Sequence, residues 1–411
     1  MSDSKINNIP KHWQVKKLGE VCEFTQGIQV DINKQKDKPF ENCVRFLRII
    51  DFTQVDEPPR YIENPGERYL LKKGEIAMVR YGTVGFVCIG KEGAIANNLF
   101  KIIPNETINR KYLIHFLKSL HFISKLETKG ATMQALSFGL IKPIDFPIPP
   151  LSEQQLIVSK IEELLSDLEN GKQQLLIAQQ QLKVYRQSLL KWAFEGKLTT
   201  KNVKEGELPK GWKWVKIEDI ATVGTGATPL KGNNKYYEGG KIPWVISGAL
   251  NDEFVNGATD FVTELALKET NLSVYPKHTL LLAMYGEGKT RGKCSELLIE
   301  ATTNQAIAAI HFKNHDDRVK PYLKYFLLKN YNDIRRLSSG GVQPNLNLGI
   351  VKKTVFPFPP FEEQQLIVDE LESKLTVCDK IEETISQSLQ QAEILKQSIL
   401  KKAFEGRLVK I

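Results

Sequence analysis

The segment Phe146-Pro147-Ile148-Pro149-Pro150-Leu151-Ser152-Glu153-Gln154-Gln155-Leu156-Ile157-Val158 returns later in the chain as Phe356-Pro357-Phe358-Pro359-Pro360-Phe361-Glu362-Glu363-Gln364-Gln365-Leu366-Ile367-Val368, 356 − 146 = 210 residues on. The same offset of 210 aligns Ala193-Phe194-Glu195-Gly196-Lys197-Leu198 with Ala403-Phe404-Glu405-Gly406-Arg407-Leu408. It reaches back without a gap through Gly139/Gly349 and Leu136/Leu346 to Tyr112-Leu113/Tyr322-Leu323. Upstream the likeness loosens: Asn97 pairs with Asn304, Tyr81-Gly82 with Tyr285-Gly286, and Pro10-Lys11-x-Trp13 with Pro209-Lys210-x-Trp212, the offsets sliding from 207 to 199. Self-similarity at a fixed offset marks a structural unit written twice. The order of parts is variable module, helix, variable module, helix.

The part that diverges least is a heptad helix. Ile161, Leu168, Leu175, Leu182 and Leu189 fall seven apart, matched by Leu371, Cys378, Ile385, Ala392 and Ile399. A sustained seven-residue apolar repeat is a coiled-coil seam. The alternate seam positions are mixed, with Leu165, Lys172, Gln179 and Arg186 in one copy and Leu375, Glu382, Leu389 and Lys396 in the other. Ser152-x-x-Gln155 fits a capping box, Glu362 is a poorer cap, and Gly196 and Gly406 stand where a left-handed C-terminal cap needs glycine. Asn170-Gly171 is a weak point, costing about 1 kcal/mol relative to alanine. If the second helix packs its seam on the first, the two run antiparallel and relate the halves by a pseudo-twofold axis.

Composition narrows the class. The chain has 411 residues, 41% hydrophobic and 26% charged, enough for two or more cored domains. It lacks an apolar run long enough for a membrane span and a secretory leader, so the expectation is a cytoplasmic protein with no membrane partner. Cys22, Cys43, Cys88, Cys294 and Cys378 lie far apart and read as free thiols. A net charge of +9 attracts polyanions, nucleic acid foremost.

The doubled Pro-x-Pro-Pro-x-x-Glu-Gln-Gln and Ala-Phe-Glu-Gly-(Lys/Arg)-Leu, each bounding a heptad helix behind a module that opens Pro-Lys-x-Trp, resemble type I restriction-modification specificity subunits across essentially the whole chain. The resemblance implies two α/β target recognition domains, each reading one half of a bipartite site on double-stranded DNA. Their helices would set the spacer and dock two modification (methyltransferase) subunits, with restriction (translocase/nuclease) subunits joining that complex. It also implies no catalysis and no cofactor in this chain, with S-adenosylmethionine, ATP and magnesium on the partners. Glu153, Gln154, Gln155, Phe194, Glu363, Gln364, Gln365 and Phe404, which carry the resemblance, are the expected partner contacts.

DNA contact is expected on glycine-rich turns. Arg80, Tyr81 and Thr83 in the first module, and Tyr285, Lys289, Thr290, Arg291 and Lys293 in the second, combine phosphate donors with groups able to reach base edges. Asn97, Asn98, Asn304 and Gln305 offer amides for adenine, or turn capping. Lys231, Asn233, Asn234 and Lys235 lie in a basic loop with Tyr236 and Tyr237, suited to a duplex or equally an ordinary solvated turn, and Arg45 and Arg48 alternate on a strand predicted over Val44–Ile50, facing DNA or merely water. Trp13, Trp212 and Trp214 read as core anchors. Ala283-Met284-Tyr285-Gly286-Glu287-Gly288-Lys289-Thr290 approaches a phosphate-binding loop but has Ala283 where the first glycine is required. His311-x-x-x-His315 has no third zinc ligand nearby.

The fold expected is α+β, with two mixed-sheet recognition domains joined by two long helices packed as an antiparallel coiled coil. The boundaries are 1–150 and 199–360 for the recognition domains, 151–198 and 361–411 for the helices. Two rival readings stand beside it, a coiled-coil scaffold that binds no DNA and a nucleotide-dependent enzyme using the 283–290 loop.

Overall fold

The computed structural model describes residues 9–54, 56–127, 136–204, 206–286, 289–312, 317–336 and 345–409. The chain forms two compact units, residues 1–176 with 385–411, and residues 177–384. Each long helix is thus divided between the units.

In the first unit, Gln14–Lys17 pairs antiparallel with Asp145–Ile148, the strand that leads into the first long helix. A four-stranded antiparallel sheet orders Cys22–Gln26, Leu99–Pro104, Ile76–Val79 and Val87–Cys88; a four-stranded mixed sheet orders Arg60–Glu63, Cys43–Leu47, Gly93–Ile95 and Leu70–Leu71, the middle pair parallel. The second unit repeats this plan. Lys213–Lys216 pairs with Val355–Phe358, a five-stranded sheet orders Ala221–Thr225, Ile307–Phe312, Leu280–Ala283, Cys294–Leu297 and Phe254–Val255, and a three-stranded one orders Asp260–Val262, Ile242–Val245 and Thr302–Thr303. Among the described residues each module therefore holds two larger sheets beside its two-stranded pair, rather than the one mixed sheet expected. The strand predicted over Val44–Ile50 ends at Leu47, and a helix, Ile49–Thr53, begins behind Arg48.

Both long helices, Leu151–Phe194 and Phe361–Phe404, are unbroken over 44 residues, about 66 Å at 1.5 Å per residue. Gly171 leaves its helix intact. Each helix starts one residue ahead of the expected cap: the carbonyl of Pro150 accepts from Glu153 and Gln154, and that of Pro360 from Glu363 and Gln364. Ser152 therefore sits inside the first turn, as does Glu362, where a carboxylate favours the helix dipole. At the far ends Gly196 (φ 74°) and Gly406 (φ 70°) are left-handed. The N–H groups of Lys197 and Arg407 close back on Trp192 and Lys402 at 2.9 and 2.8 Å.

Eight of the ten seam residues are buried as the period requires, and Leu168 and Leu175 are partly so. In the first unit Ile161 shares a core with Ile399, Leu400, Ala403 and Phe404, and Lys172 pairs with Glu393. In the second, Leu182, Leu189 and Phe194 pack with Ile367, Leu371 and Cys378, and Arg186 reaches Asp379 at 2.5 Å and Glu382 at 3.2 Å. Within each unit, low numbers on one helix meet high numbers on the other, so the helices are antiparallel. Three of the polar residues at alternate seam positions, Lys172, Arg186 and Glu382, are partly exposed members of cross-helix ion pairs.

The start of each module grips a helix end. Trp13 is buried and its indole N–H donates to Glu153 at 2.9 Å; Trp212 does the same to Glu363 at 2.9 Å. Trp214 breaks the expectation of a core anchor, being 60% exposed on an outward strand position. All five cysteines are unpaired, and burial pushes the Cys22, Cys88 and Cys294 thiols up to about 12. Among the described residues no helix is long and apolar enough to cross a membrane.

Candidate nucleic-acid interface

The turn after Ile76–Val79 and the turn after Leu280–Ala283 share one backbone design. Val79 N–H donates to Phe86 O at 3.0 Å as Ala283 N–H does to Lys293 O at 2.9 Å. Phe86 N–H donates to Thr83 O at 3.1 Å as Lys293 N–H does to Thr290 O at 3.0 Å, and Gly85 N–H to Val79 O at 3.0 Å as Gly292 N–H to Ala283 O at 2.8 Å. The glycines occupy positive-φ conformations that favour glycine, with Gly82 and Gly85 at φ 82° and 80°, Gly286 and Gly292 at 146° and 85°. Register thus matches Tyr81 with Tyr285, Thr83 with Thr290, Val84 with Arg291 and Phe86 with Lys293. The second turn is longer by Glu287, Gly288 and Lys289, of which Glu287 and Gly288 lie outside the described residues. The phosphate-loop likeness therefore rests partly outside them. The chain beyond Gly292 enters the strand Cys294–Leu297, whereas a phosphate loop opens a helix.

In the first unit Tyr81 and Thr83 are exposed. Arg80 is half-buried; its Nε donates to Leu136 O at 3.2 Å and its guanidinium lies 5.2 Å from the Tyr81 ring centre, bracing it. Asn98 joins this turn through its carbonyl, which accepts from Arg80 N–H at 2.8 Å, while its side-chain oxygen is buried without a partner. Asn97 donates to Gln29 at 3.1 Å. Arg45 and Arg48 form a separate cluster. Both converge on the fully buried carboxylate of Asp51, at 3.1 and 3.0 Å, and Arg48 also reaches Glu57 at 3.0 Å. Both are engaged by a buried carboxylate, which corrects their reading as free DNA donors; Asp51, one residue beyond the expected strand, supplies the reason.

In the second unit Lys289 is exposed, its carbonyl accepting from the Tyr331 hydroxyl at 2.7 Å, and the carbonyl of Arg291 accepts from Arg335 at 2.5 Å. Thr290 Oγ1 and Lys293 Nζ both donate to Asn251 Oδ1 at 3.1 Å. Asn251 was missed by sequence reasoning, since 42 residues separate it from Lys293. Tyr285 is half-buried beside Ala306, to whose carbonyl its N–H donates. Asn304 caps its own turn, accepting from Ala306 N–H at 3.1 Å, and Gln305 is exposed, accepting from Thr228 at 2.5 Å. Ladder bonds correct the pairing of these amides. Asn304 N–H donates to Val245 O as Ala96 N–H does to Leu47 O, so Asn304 matches Ala96 and Gln305 matches Asn97. Lys231, Asn234 and Lys235 are exposed on a separate loop whose turn Asn233 caps by accepting from Lys235 N–H at 3.3 Å. His311 lies on the strand Ile307–Phe312, so helical spacing has no meaning there, and His315 lies outside the described residues.

The repeated motifs that carried partner contact in the sequence turn inward. Glu153 takes the Trp13 and His12 hydrogen bonds, and Gln154 bonds Thr107, Pro149 and Asn109. Glu363 takes Trp212 and Thr199, and Gln364 donates to Pro359 at 2.8 Å. Phe404 stacks against Tyr112 and Phe116 at 5.1 and 5.3 Å; Phe194 does so against Tyr322 and Phe326 at 5.0 and 5.4 Å. Burial, and after it the nearby Glu153 or Glu363, holds the Tyr112 and Tyr322 phenols above their ordinary range, so both remain donors to Pro147 and Pro357. Six of the eight residues thus serve their own unit; Gln155 and Gln365 face solvent.

Among solved structures, the fold resembles the HsdS subunit from Thermoanaerobacter tengcongensis, with a TM-score of 0.64 at 18% identity over 97% of this chain and 98% of that one. A chain from a structural study of type I R-M complex assembly and conformational transition gives 0.73 at 20% identity, covering 97% and 99%. Among sequences, the specificity subunit of the type I restriction enzyme MjaVIII from Methanocaldococcus jannaschii is 22% identical over 97% of this chain and 94% of its own length. The EcoDI specificity subunit of Escherichia coli is 24% identical over 97% and 89%. The model of the type I restriction modification DNA specificity domain matches twice, at residues 10–177 and 209–391. With both copies matched and each built on the same turn and helix clasp, the chain belongs to the type I restriction-modification DNA specificity family and is a DNA-recognition subunit of such a system.

Proposed function

We propose that each unit reads one half of a bipartite site on double-stranded DNA and that the chain itself catalyses nothing. The observation that carries this reading is the turn built twice on one backbone design with different side chains, as two readers of unlike half-sites need. Tyr81, Thr83 and Asn97 in one unit, with Tyr285, Lys289, Thr290, Lys293 and Gln305 in the other, are the proposed contacts. Lys231, Asn233, Asn234 and Lys235 add a second basic loop.

The long helices serve as spacer and as dock for two modification subunits, to which restriction subunits add. S-adenosylmethionine, ATP and magnesium then act on those partners, in the cytoplasm. Exposed apolar side chains on the helices of each unit support docking: Ile177, Val184, Tyr185, Val377 and Ile381 in the second unit, and Ile394 and Leu395 in the first, Ile394 being 70% exposed. Gln155 and Gln365, exposed near the helix starts, are proposed as polar contacts.

Sequencing methylated genomic DNA from cells carrying the partner subunits tests the reading. Exchanging residues 1–150 for another recognition module should change one half-site and leave the other. A change in both halves, or in neither, refutes it. ATP hydrolysis by the purified chain would favour the enzyme reading, and DNA binding insensitive to salt would favour the scaffold, because phosphate contacts impose a steep salt dependence.

A further inference from the structure

Groups common to both units cannot encode a difference between two half-sites. Tyr81 and Tyr285, and Thr83 and Thr290, stand at the same places in the two turns, so they suit sequence-independent work on phosphate. Discrimination must come from positions where one backbone design carries different chemistry. Three exist in the turn among the described residues, Arg80/Met284, Val84/Arg291 and Phe86/Lys293; Met284 is buried and Arg80 is tied to Leu136 O, so the first does not face outward in both units. Val84 packs on its unit's core, and the Nε of Arg291 is buried, so that position faces inward. Phe86, by contrast, is 39% exposed. Lys293 is anchored through two bonds to Asn251, at 3.1 Å to the side chain and 3.3 Å to the carbonyl, which leaves the third ammonium donor for a ligand.

We infer that this one position sets a base preference in each half-site: Lys293 donates to the O6/N7 edge of guanine, and Phe86 packs on the methyl group of thymine, both in the major groove. The chemistry follows from the groove itself. Guanine presents two acceptors there, which suit an ammonium group, while thymine alone presents a methyl to an apolar ring. Asn251 fixes the lysine before binding, so less side-chain entropy is lost on contact. Thr290 shares that anchor, which ties the phosphate-facing and base-facing groups of the second turn into one rigid set.

The inference rests on the reading that each unit takes one half-site, and one experiment separates the two. The assembled complex with its modification subunits is offered a duplex library randomised at both halves, and bound sequences are read out. Wild type should select a bipartite motif with a required guanine in the half read by the second unit and a required thymine in the other. Lys293→Phe should lower the guanine preference about ten- to hundredfold and favour thymine in that half only; Phe86→Lys should do the reverse in the other half. Lys293→Gln, which keeps a donor for Asn251, should move the preference from guanine to adenine. Thr83→Ala and Thr290→Ala should weaken binding to all sequences alike. Thermal midpoints of each variant complex report folding independently. If wild type selects no bipartite motif, the half-site reading fails. If it does, and folded Lys293→Phe and Lys293→Gln complexes select the wild-type motif, the half-site reading stands and this inference is overturned.

Discussion

One substitution should have opposite signs at two places on the same pair of helices. Gly406 ends its helix at φ 70°, and a Cβ added there would lie 2.4 Å from Pro10 Cγ and Cδ. Alanine at that point meets two costs: the left-handed conformation, about 1–2 kcal/mol, and overpacking against a proline ring, about 1–3 kcal/mol. Gly406→Ala should therefore destabilise the first unit by about 3 kcal/mol, a fall in its unfolding temperature of roughly 6–12 °C. Gly196→Ala, with Pro209 Cγ 2.2 Å from the added carbon, should act equally on the second unit. Gly171 lies within an unbroken helix with nothing within 4 Å of an added Cβ. There Gly171→Ala should stabilise by about 1 kcal/mol through helix propensity alone. Differential scanning calorimetry of the full chain reads all three. A Gly406→Ala protein that melts with wild type, or that shifts in the same direction as Gly171→Ala, would refute the view that Pro-Lys-x-Trp clasps a glycine-capped helix end.

Three further outcomes follow. Asp51→Ala should cost about 2–4 kcal/mol, below the range for a wholly buried pair because both guanidinium groups reach water; urea unfolding measures it, and an unchanged midpoint would return Arg45 and Arg48 to the list of free donors. His115 is lowered to about 4 by burial first and by Lys118 and Lys111 after it, outweighing Glu162. The folded protein thus binds this proton less readily than the unfolded chain, so stability is complete above about pH 6.5 and is lost as pH falls toward 4. The loss is at most about 3 kcal/mol and should be absent in His115→Gln. Inserting one helical turn after Gln179 and one after Leu389 should lengthen the spacer of the methylated site while both half-site sequences persist; altered half-sites would sink the spacer role.

What was legible in the sequence depended on neighbours in the chain. The seven-residue seam, the glycine caps and the turn glycines show directly because helix period and backbone φ are decided by residues a few positions apart. The duplication showed for the same reason, since an identical local code folds into an identical local shape. Residues whose partners are distant in the chain were misjudged. Glu153, Gln154 and Phe404 read as a surface for partners, yet Trp13, Asn109 and Tyr112 claim them. Arg45 and Arg48 are a different case: their partner Asp51 is only six and three residues away, and it was missed because the strand expected over Val44–Ile50 gives way to the helix Ile49–Thr53, which sets Asp51 against both guanidinium groups.

Insertions shift sequence offsets but leave hydrogen-bond register untouched, so the true counterpart of Asn304 emerged from the ladder bonds at Leu47 and Val245. By itself the sequence determined that there are two like modules and two like helices, because periodicity and repetition are local properties. The tertiary structure alone decided which charged and aromatic side chains remain for DNA, because burial and ion pairing are settled by how the elements pack.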